Sequence, residues 1–381
     1  MLNVGILGVG NAGNQVVAHA FTQKKSISVF ALNCSESDLK TIPDGIPKAL
    51  VGDGKGAGKN RDESKKFLAS DVMDLINNDT MKEFITSLDI VFIVSSTGGG
   101  TGSGISLLLS QIIKKVYPTV FVITVGIISS IKEALSTHAN SLEYLTELYD
   151  NTESQTYMLY DNEKYSKIPS NQMMEKINAQ IVEDIVTLSG YYNFNTKYAS
   201  IDDKDLMNLI KTPGRLVVLS LVNFKEKDLD DTTVEELLLK NLKTSGTVDL
   251  QKDRIVNRIG VIANINSFVS EKFDTSIPGL LDTVGSPIES FEHLYINEDR
   301  KLPNNVFVIL TGCTKINDRI TKINDRIEEI MEKQNQTEDD DVLKQFNGTE
   351  LNAKRVYQSN EPTTKTVNLE DIFNNFGVKL P

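Results

Sequence analysis

The stretch Gly98–Gly104 reads Gly-Gly-Gly-Thr-Gly-Ser-Gly, five glycines in seven positions. It follows the nearly all-apolar run Asp89-Ile90-Val91-Phe92-Ile93-Val94-Ser95-Ser96 and opens into Ile105–Ile113, whose apolar residues recur at helical spacing. The context is therefore a buried strand, a glycine loop and a helix. Glycines at this density are expected to let the backbone take positive φ and bring its N–H groups close to a ligand. The following helix presents free N–H groups and a positive dipole end at the same point. Together these predict an anion site, with phosphate as the fitting ligand and Thr101 and Ser103 as added hydroxyl donors. The alternative, a flexible turn, does not need five glycines.

At 381 residues the chain exceeds one ordinary core, so two domains are expected. A net charge of −12 and a pI near 4.9 argue against direct binding to DNA or to an acidic membrane surface. Two cysteines, Cys34 and Cys313, are too few for a disulfide framework and have no metal-ligand spacing, which fits a reducing cytosol. The three histidines are scattered. The longest apolar run, Val120–Ile128, is far shorter than the ~20 residues of a membrane span. These features predict a soluble cytoplasmic protein with no membrane partner.

Along the chain, Leu2–Leu7 reads as a first strand running into Gly8-Val9-Gly10-Asn11-Ala12-Gly13, then a helix. This is a dinucleotide-type fingerprint, yet the second strand, Ser28–Leu32, ends in Asn33-Cys34-Ser35 and offers no ribose-binding acid before Glu36. A nicotinamide-dependent oxidoreductase is weakened accordingly. A second glycine loop, Val51–Arg61, fails the P-loop pattern but carries three cations suited to a terminal phosphate; a solvated surface loop is the competing reading. Helices are expected over 71–88 and 133–149, strands over 119–125 and 156–160. A long helix from Ser170 to about Tyr192 carries the stripe Met173, Met174, Ile177, Ile181, Val182, Ile185 and Leu188. Asn178 interrupts that stripe, either satisfied locally or reading a ligand's edge. Asp202 and Asp205 stand three apart at the start of another helix, a spacing that suits either catalysis or the helix dipole. A second domain from about Gly214 shows no nucleophile–base pair. The heptapeptide Thr-Lys-Ile-Asn-Asp-Arg-Ile then occurs twice, at 314–320 and 321–327, with isoleucines forming a seam for packing against the domain. Beyond Gln334 the composition turns polar and reads as disordered, except that Leu369–Phe376 suits a short amphipathic helix folding on a partner.

Taken together, the loops resemble the tubulin/FtsZ superfamily, whose signature is the glycine stretch at 98–104; the resemblance covers roughly residues 1–330. It implies an α/β fold: a Rossmann-like parallel-sheet GTPase domain (1–169), a long central helix and connection (170–199), a second α+β activation domain (200–313), an extended C-terminal helix (314–345) and a flexible tail (346–381). It implies GTP or GDP with magnesium, the metal held through phosphates and water with no direct protein ligand. The implied nucleotide contacts are Gly10, Asn11, Ala12, Asn14 and Asn33; Gly54, Lys55, Gly56 and Ala57; and Gly98, Gly99, Gly100, Thr101, Gly102 and Ser103. Glu133 is implied as a ribose or phosphate contact. In Tyr160-Asp161-Asn162-Glu163, Asn162 takes the guanine-reading place, and Asn178 does so on the central helix, with Met174 where the family has an aromatic. Asp202 and Asp205 fall where the family places the acids that act on a neighbouring subunit's nucleotide, with Ser200 replacing the asparagine of N-x-D-x-x-D. The extended helix and polar tail look most like the TubZ branch. That implies a GTPase activated by self-assembly into longitudinal filaments, moving plasmid or phage DNA through a DNA-binding adaptor held by the tail. An FtsZ-like division filament is the alternative.

Overall fold

The structure, a computed structural model, describes residues 2–23, 27–151, 155–190, 203–250, 256–267, 269, 287–297, 304–313, 316–335 and 369–379. Its strands are β1 (Val4–Val9), β2 (Ser28–Asn33), β3 (Lys48–Leu50), β4 (Ile90–Ser96), β5 (Phe121–Ile128), β6 (Thr156–Asp161), β7 (Gly214–Phe224), β8 (Arg258–Asn266), β9 (Glu289–Asn297) and β10 (Asn304–Cys313). They form one sheet in the order β3-β2-β1-β4-β5-β6-β7-β10-β8-β9. From β3 to β6 every pairing is parallel. The join to the second half is slight: β6 meets β7 only at Thr156–Gly214 and Tyr157–Arg215. Beyond it β10 runs antiparallel to both β7 and β8, and β9 is parallel to β8.

The helices are α1 (Gly10–Thr22), α2 (Glu36–Lys40), α3 (Arg61–Asn77), α4 (Asp79–Thr86), α5 (Thr101–Val116), α6 (Leu135–Asn151), α7 (Ser170–Gly190), α8 (Asp203–Ile210), α9 (Val234–Thr244), α10 (Asn317–Asn335) and α11 (Leu369–Asn375). The apolar runs of β1 and β4 are explained by helices on both faces of the parallel half. Successive side chains alternate between the faces. Leu7, Val9, Val91 and Ile93 enter a core with residues of α3 to α6. Val4, Ile6, Phe92 and Val94 enter the opposite core with α1 and α7. A third core lies between β7, β8, β10 and α9.

Four local expectations need correction. The helix over 71–88 is two helices, because Asn78 is extended (φ −64°, ψ 122°) and its side chain caps α4 by accepting from Met81 N–H at 3.0 Å. The first of the two begins at Arg61, capped by Asn60, whose side chain accepts from Glu63 N–H. Met174 is not part of the buried stripe of α7: it is 51% exposed while Met173 is buried. Finally, residues 369–379 are not a free end. They form α11 and the turn after it, with Ile372, Phe373, Phe376 and Val378 buried in the first core. The repeat behaves as read: Ile316, Ile323 and Ile327 are buried where α10 lies against α6.

Candidate functional site

The strand order reverses direction between β1 and β4, which run side by side while their chains continue to opposite faces. In such sheets the crevice beyond the carboxyl ends is the binding position. Two helices start there, α1 at Gly10 and α5 at Thr101. Neither has a side-chain cap, and neither has an acid in its first turn. Both sets of first-turn N–H groups are thus left for a ligand, and both dipoles favour an anion. A cavity of about 410 Å³ opens at this point, within the ordinary range for small-molecule sites. Gly10, Asn11 and Ala12 line it from the first loop, and Gly99, Gly100, Thr101 and Gly102 from the second. The glycine stretch does not work as its composition predicts. Positive φ occurs at Gly10 (+72°) but at none of the glycines from 98 to 104. Gly98, Gly100, Gly102 and Gly104 are needed for closeness: a Cβ on Gly100 would sit 2.7 Å from Lys59 Cα. Ser103 also departs from expectation. Its hydroxyl donates to Gly99 O and accepts from Arg61 Nε, so it braces the loop, and it does not line the cavity.

The loop at 51–61 closes the far wall with Lys55, Gly56, Ala57, Gly58 and Lys59. It is tied down by backbone hydrogen bonds, Glu36 N–H to Gly54 O and Gly56 N–H to Cys34 O, both 2.9 Å. Gly52, Gly54, Gly56, Gly58 and Lys59 all have positive φ. Gly54 supports the wall without lining it. Of the three cations, Lys55 and Lys59 face the cavity, whereas Arg61 is buried in ion pairs with Glu143 (2.8 Å) and Glu147 (2.5 Å) of α6. Asn140, invisible to motif reading, joins the loops: its amide donates to Lys59 O, Gly98 O and Gly99 O. Asn33 lines the cavity, but its Oδ1 accepts from Cys34 and Ser35 N–H and so shapes the turn after β2. Ser35, Asp38 and Ser96 also line it, and none was foreseen. Burial pushes the Cys34 thiol up to about 11 against a hydrogen bond from Thr101, so it is no nucleophile.

The residues implied for the base, Asn162, Met174 and Asn178, lie outside this cavity, as does the implied nucleotide contact Asn14. Asn14 is wholly buried in α1 and neither atom of its amide has a protein partner; Asn162 Oδ1 is likewise buried and unpartnered. Each such group costs about 1–3 kcal/mol, a cost that a hydrogen-bonding ligand removes. Asn162 opens a 3-10 turn held from behind: Asp161 accepts from Arg319 Nε at 2.7 Å, and Arg319 also donates to Ser129 O. Arg326, one heptad later, donates to Ile131 O. The repeated arginines thus clamp the loops that follow β5 and β6. Burial pushes Glu163 up, but hydrogen bonds from Ser130, Ser166 and Ile131 N–H outweigh it and hold the carboxylate low. Asn178 is half-buried and Met174 exposed on the adjoining turn of α7. Glu133 is exposed and accepts from Ser130 N–H.

Residues 3–170 match the Tubulin/FtsZ family, GTPase domain. This part of the chain is a Tubulin/FtsZ-family GTPase domain. Across the chain, the cell division protein FtsZ of Buchnera aphidicola subsp. Baizongia pistaciae is 22% identical over 305 residues, 75% of this chain and 70% of its own. TubZ of Clostridium botulinum phage c-st, with its C-terminal tail truncated, superposes with a TM-score of 0.70 at 20% identity, covering 87% of this chain and 98% of TubZ. The GTPγS-bound protofilament of CetZ2 from Haloferax volcanii gives 0.68 at 17% identity, covering 87% and 100%. The tubulin/FtsZ fold therefore extends well past the GTPase domain.

Against this fold the acids stand apart. Asp205 lies half-buried in the first turn of α8 and does not line the cavity of its own chain. Asp202 lies outside the described residues. Among the described residues no group of three or more His, Cys, Asp or Glu side chains can hold a metal ion by itself.

Proposed function

We propose that this chain is a GTP-hydrolysing cytoskeletal protein of the cytoplasm. Its filaments move plasmid or phage DNA through a DNA-binding adaptor. The observation that carries the reading is the pairing of two uncapped helix starts on one cavity, within a Tubulin/FtsZ GTPase domain, with a candidate acid that lies off that cavity. In this reading residues 1–169 bind the nucleotide, 170–199 form the central helix and connection, 200–313 are the activation domain, and 314–345 continue as the C-terminal helix.

The phosphates lie against the N–H groups of Gly10–Ala12 and Gly99–Gly102, with Lys55 and Lys59 balancing charge. Asn162 and Asn178 read guanine, Met174 covers its face, Asn14 is a further nucleotide contact, and Glu133 meets the ribose or a phosphate. Magnesium, held through phosphate oxygens and water, supplies further charge neutralisation. Hydrolysis then needs a positioned water rather than a covalent nucleophile. Asp202 and Asp205 of the next subunit orient that water, so assembly completes the site. The CetZ2 protofilament with bound GTPγS supports the link between nucleotide and self-association. The net charge of −12 supports an adaptor between filament and DNA.

GTP turnover followed with light scattering tests this. Wild type is expected to assemble on GTP and then decay. Asp205→Ala is expected to assemble and persist, with turnover down by roughly 10²-fold or more. Equal turnover in both proteins refutes the catalytic assignment. Recovery of a membrane tether instead of a DNA-binding adaptor in pull-downs favours an FtsZ-like division filament.

A further inference from the structure

The C-terminal segment carries a local code for its own shape. In Leu-Glu-Asp-Ile-Phe-Asn-Asn-Phe-Gly-Val, Glu370 and Asp371 sit in the first turn of α11, where acids favour the dipole. Gly377 ends the helix at φ +73°. Gly377 N–H bonds to Asn374 O and Val378 N–H to Phe373 O, both at 3.0 Å. This pair of bonds is a Schellman stop, and Val378 and Phe373 share one core as that motif prefers. Glu370, Asp371, Asn374 and Asn375 are exposed, while Ile372, Phe373, Phe376 and Val378 are buried where α11 meets α5.

A polar chain connects this contact to the phosphate cavity. Lys65 of α3 donates to Phe376 O at 3.5 Å and pairs with Glu147 at 2.5 Å. Glu147 also pairs with Arg61, and Arg61 donates to the hydroxyl and carbonyl of Ser103 in the glycine loop. Lys65, Arg61 and Ser103 are all buried.

We propose that residues 369–378 are a resident ligand of the chain's own GTPase domain. They close an apolar face of α5 and bear on the glycine loop through Lys65, Glu147 and Arg61. A protein partner that grips the tail by Ile372, Phe373 and Phe376 competes with α5 for the same face and must lift the segment off. Docking in the same chain is favoured because a tethered segment acts at an effective concentration on the order of millimolar. The nucleotide half of this proposal rests on the GTPase reading above; the docking half does not.

Hydrogen–deuterium exchange on the full chain tests the docking. The amides of residues 376–378 are expected to be protected equally at dilute and concentrated protein. Phe373→Ala is expected to lose that protection by roughly a hundredfold or more, with β4 exchange unchanged as the check on folding. Asn374→Ala, on the exposed side, retains it. Absence of protection in wild type overturns the proposal, and protection that rises with protein concentration assigns the groove to a second copy and overturns it too. A GTPγS titration then tests the coupling. A several-fold change in affinity between wild type and Phe373→Ala supports it, and identical affinities overturn it. Failure of wild type to bind GTPγS counts against the GTPase reading and leaves the exchange result standing.

Discussion

The two glycine-rich loops that face each other across the cavity use the same residue for opposite reasons. Between Gly52 and Gly58 every glycine has positive φ, and the loop is shaped by conformations that side chains resist. Between Gly98 and Gly104 none does, and Gly98, Gly100, Gly102 and Gly104 serve there by lacking a side chain. Torsion constrains every glycine of the first loop, with contact added only at Gly52, whose Cβ would meet the Phe67 ring at 2.5 Å. In the second loop contact distance alone is at work. Glycine density in a sequence therefore signals special backbone without saying which kind.

Substitutions can break that contrast. Gly100→Ala is expected to have the largest effect on stability, about 1–3 kcal/mol, because its Cβ would meet backbone atoms of Lys59 and Asn60 at 2.7–2.9 Å. Thermal unfolding would show the loss, and a nucleotide titration should show weakened binding as the two loops part. Gly56→Ala has space, with Ser35 Cβ at 3.5 Å, but takes a left-handed backbone at φ +83°. Its expected cost is about 1–2 kcal/mol, read from the denaturation midpoint. If Gly56→Ala proves as disruptive as Gly100→Ala, torsion is not what distinguishes the loops.

A site outside both loops tests burial alone. Burial pushes the Asp184 carboxyl up to about 7, against hydrogen bonds from Tyr160 and Gln180. In the unfolded chain it ionises near ~3.9. Between those values the folded protein holds a proton that the unfolded chain has lost, so this group's contribution to stability falls as pH rises from about 4 to about 7. Asp184→Asn should flatten that slope and stabilise by about 1 kcal/mol or more at neutral pH, measured as melting temperature against pH. An unchanged slope would show that the group does not titrate in this range. The smallest stability change is expected for Gly99→Ala, within about 0.5 kcal/mol, since a Cβ there meets nothing within 4 Å. Its methyl would still stand at the cavity wall, so nucleotide affinity should fall while the melting temperature holds. That split between binding and stability separates Gly99 from its neighbour Gly100.

The parallel half was legible because its strands are buried on both faces and read as unbroken apolar runs, with glycine loops at their ends. The cavity walls were legible where a motif covered them, as at Gly10–Ala12, Gly99–Gly102 and Lys55–Ala57. Asn140, Ser35 and Arg319 were not. Asn140 and Arg319 act through contacts made across more than one element, which nothing in their local sequence marks. Ser35, though a local cap of α2, meets the cavity only through the fold. Arg61 and the Ser103 hydroxyl escape local reading for the same reason: in sequence they look like phosphate ligands, yet they bond to each other, and Arg61 also to α6.

The sequence by itself determined the strand–glycine loop–helix units, the isoleucine seam of α10 and the amphipathic character of Leu369–Phe376, because periodicity and capping are properties of neighbours along the chain. Only the tertiary structure decided which glycines need positive φ and which need closeness, which cations reach the cavity, and that the last helix covers α5. Those outcomes depend on distances between segments far apart in sequence, which local residue pattern does not encode.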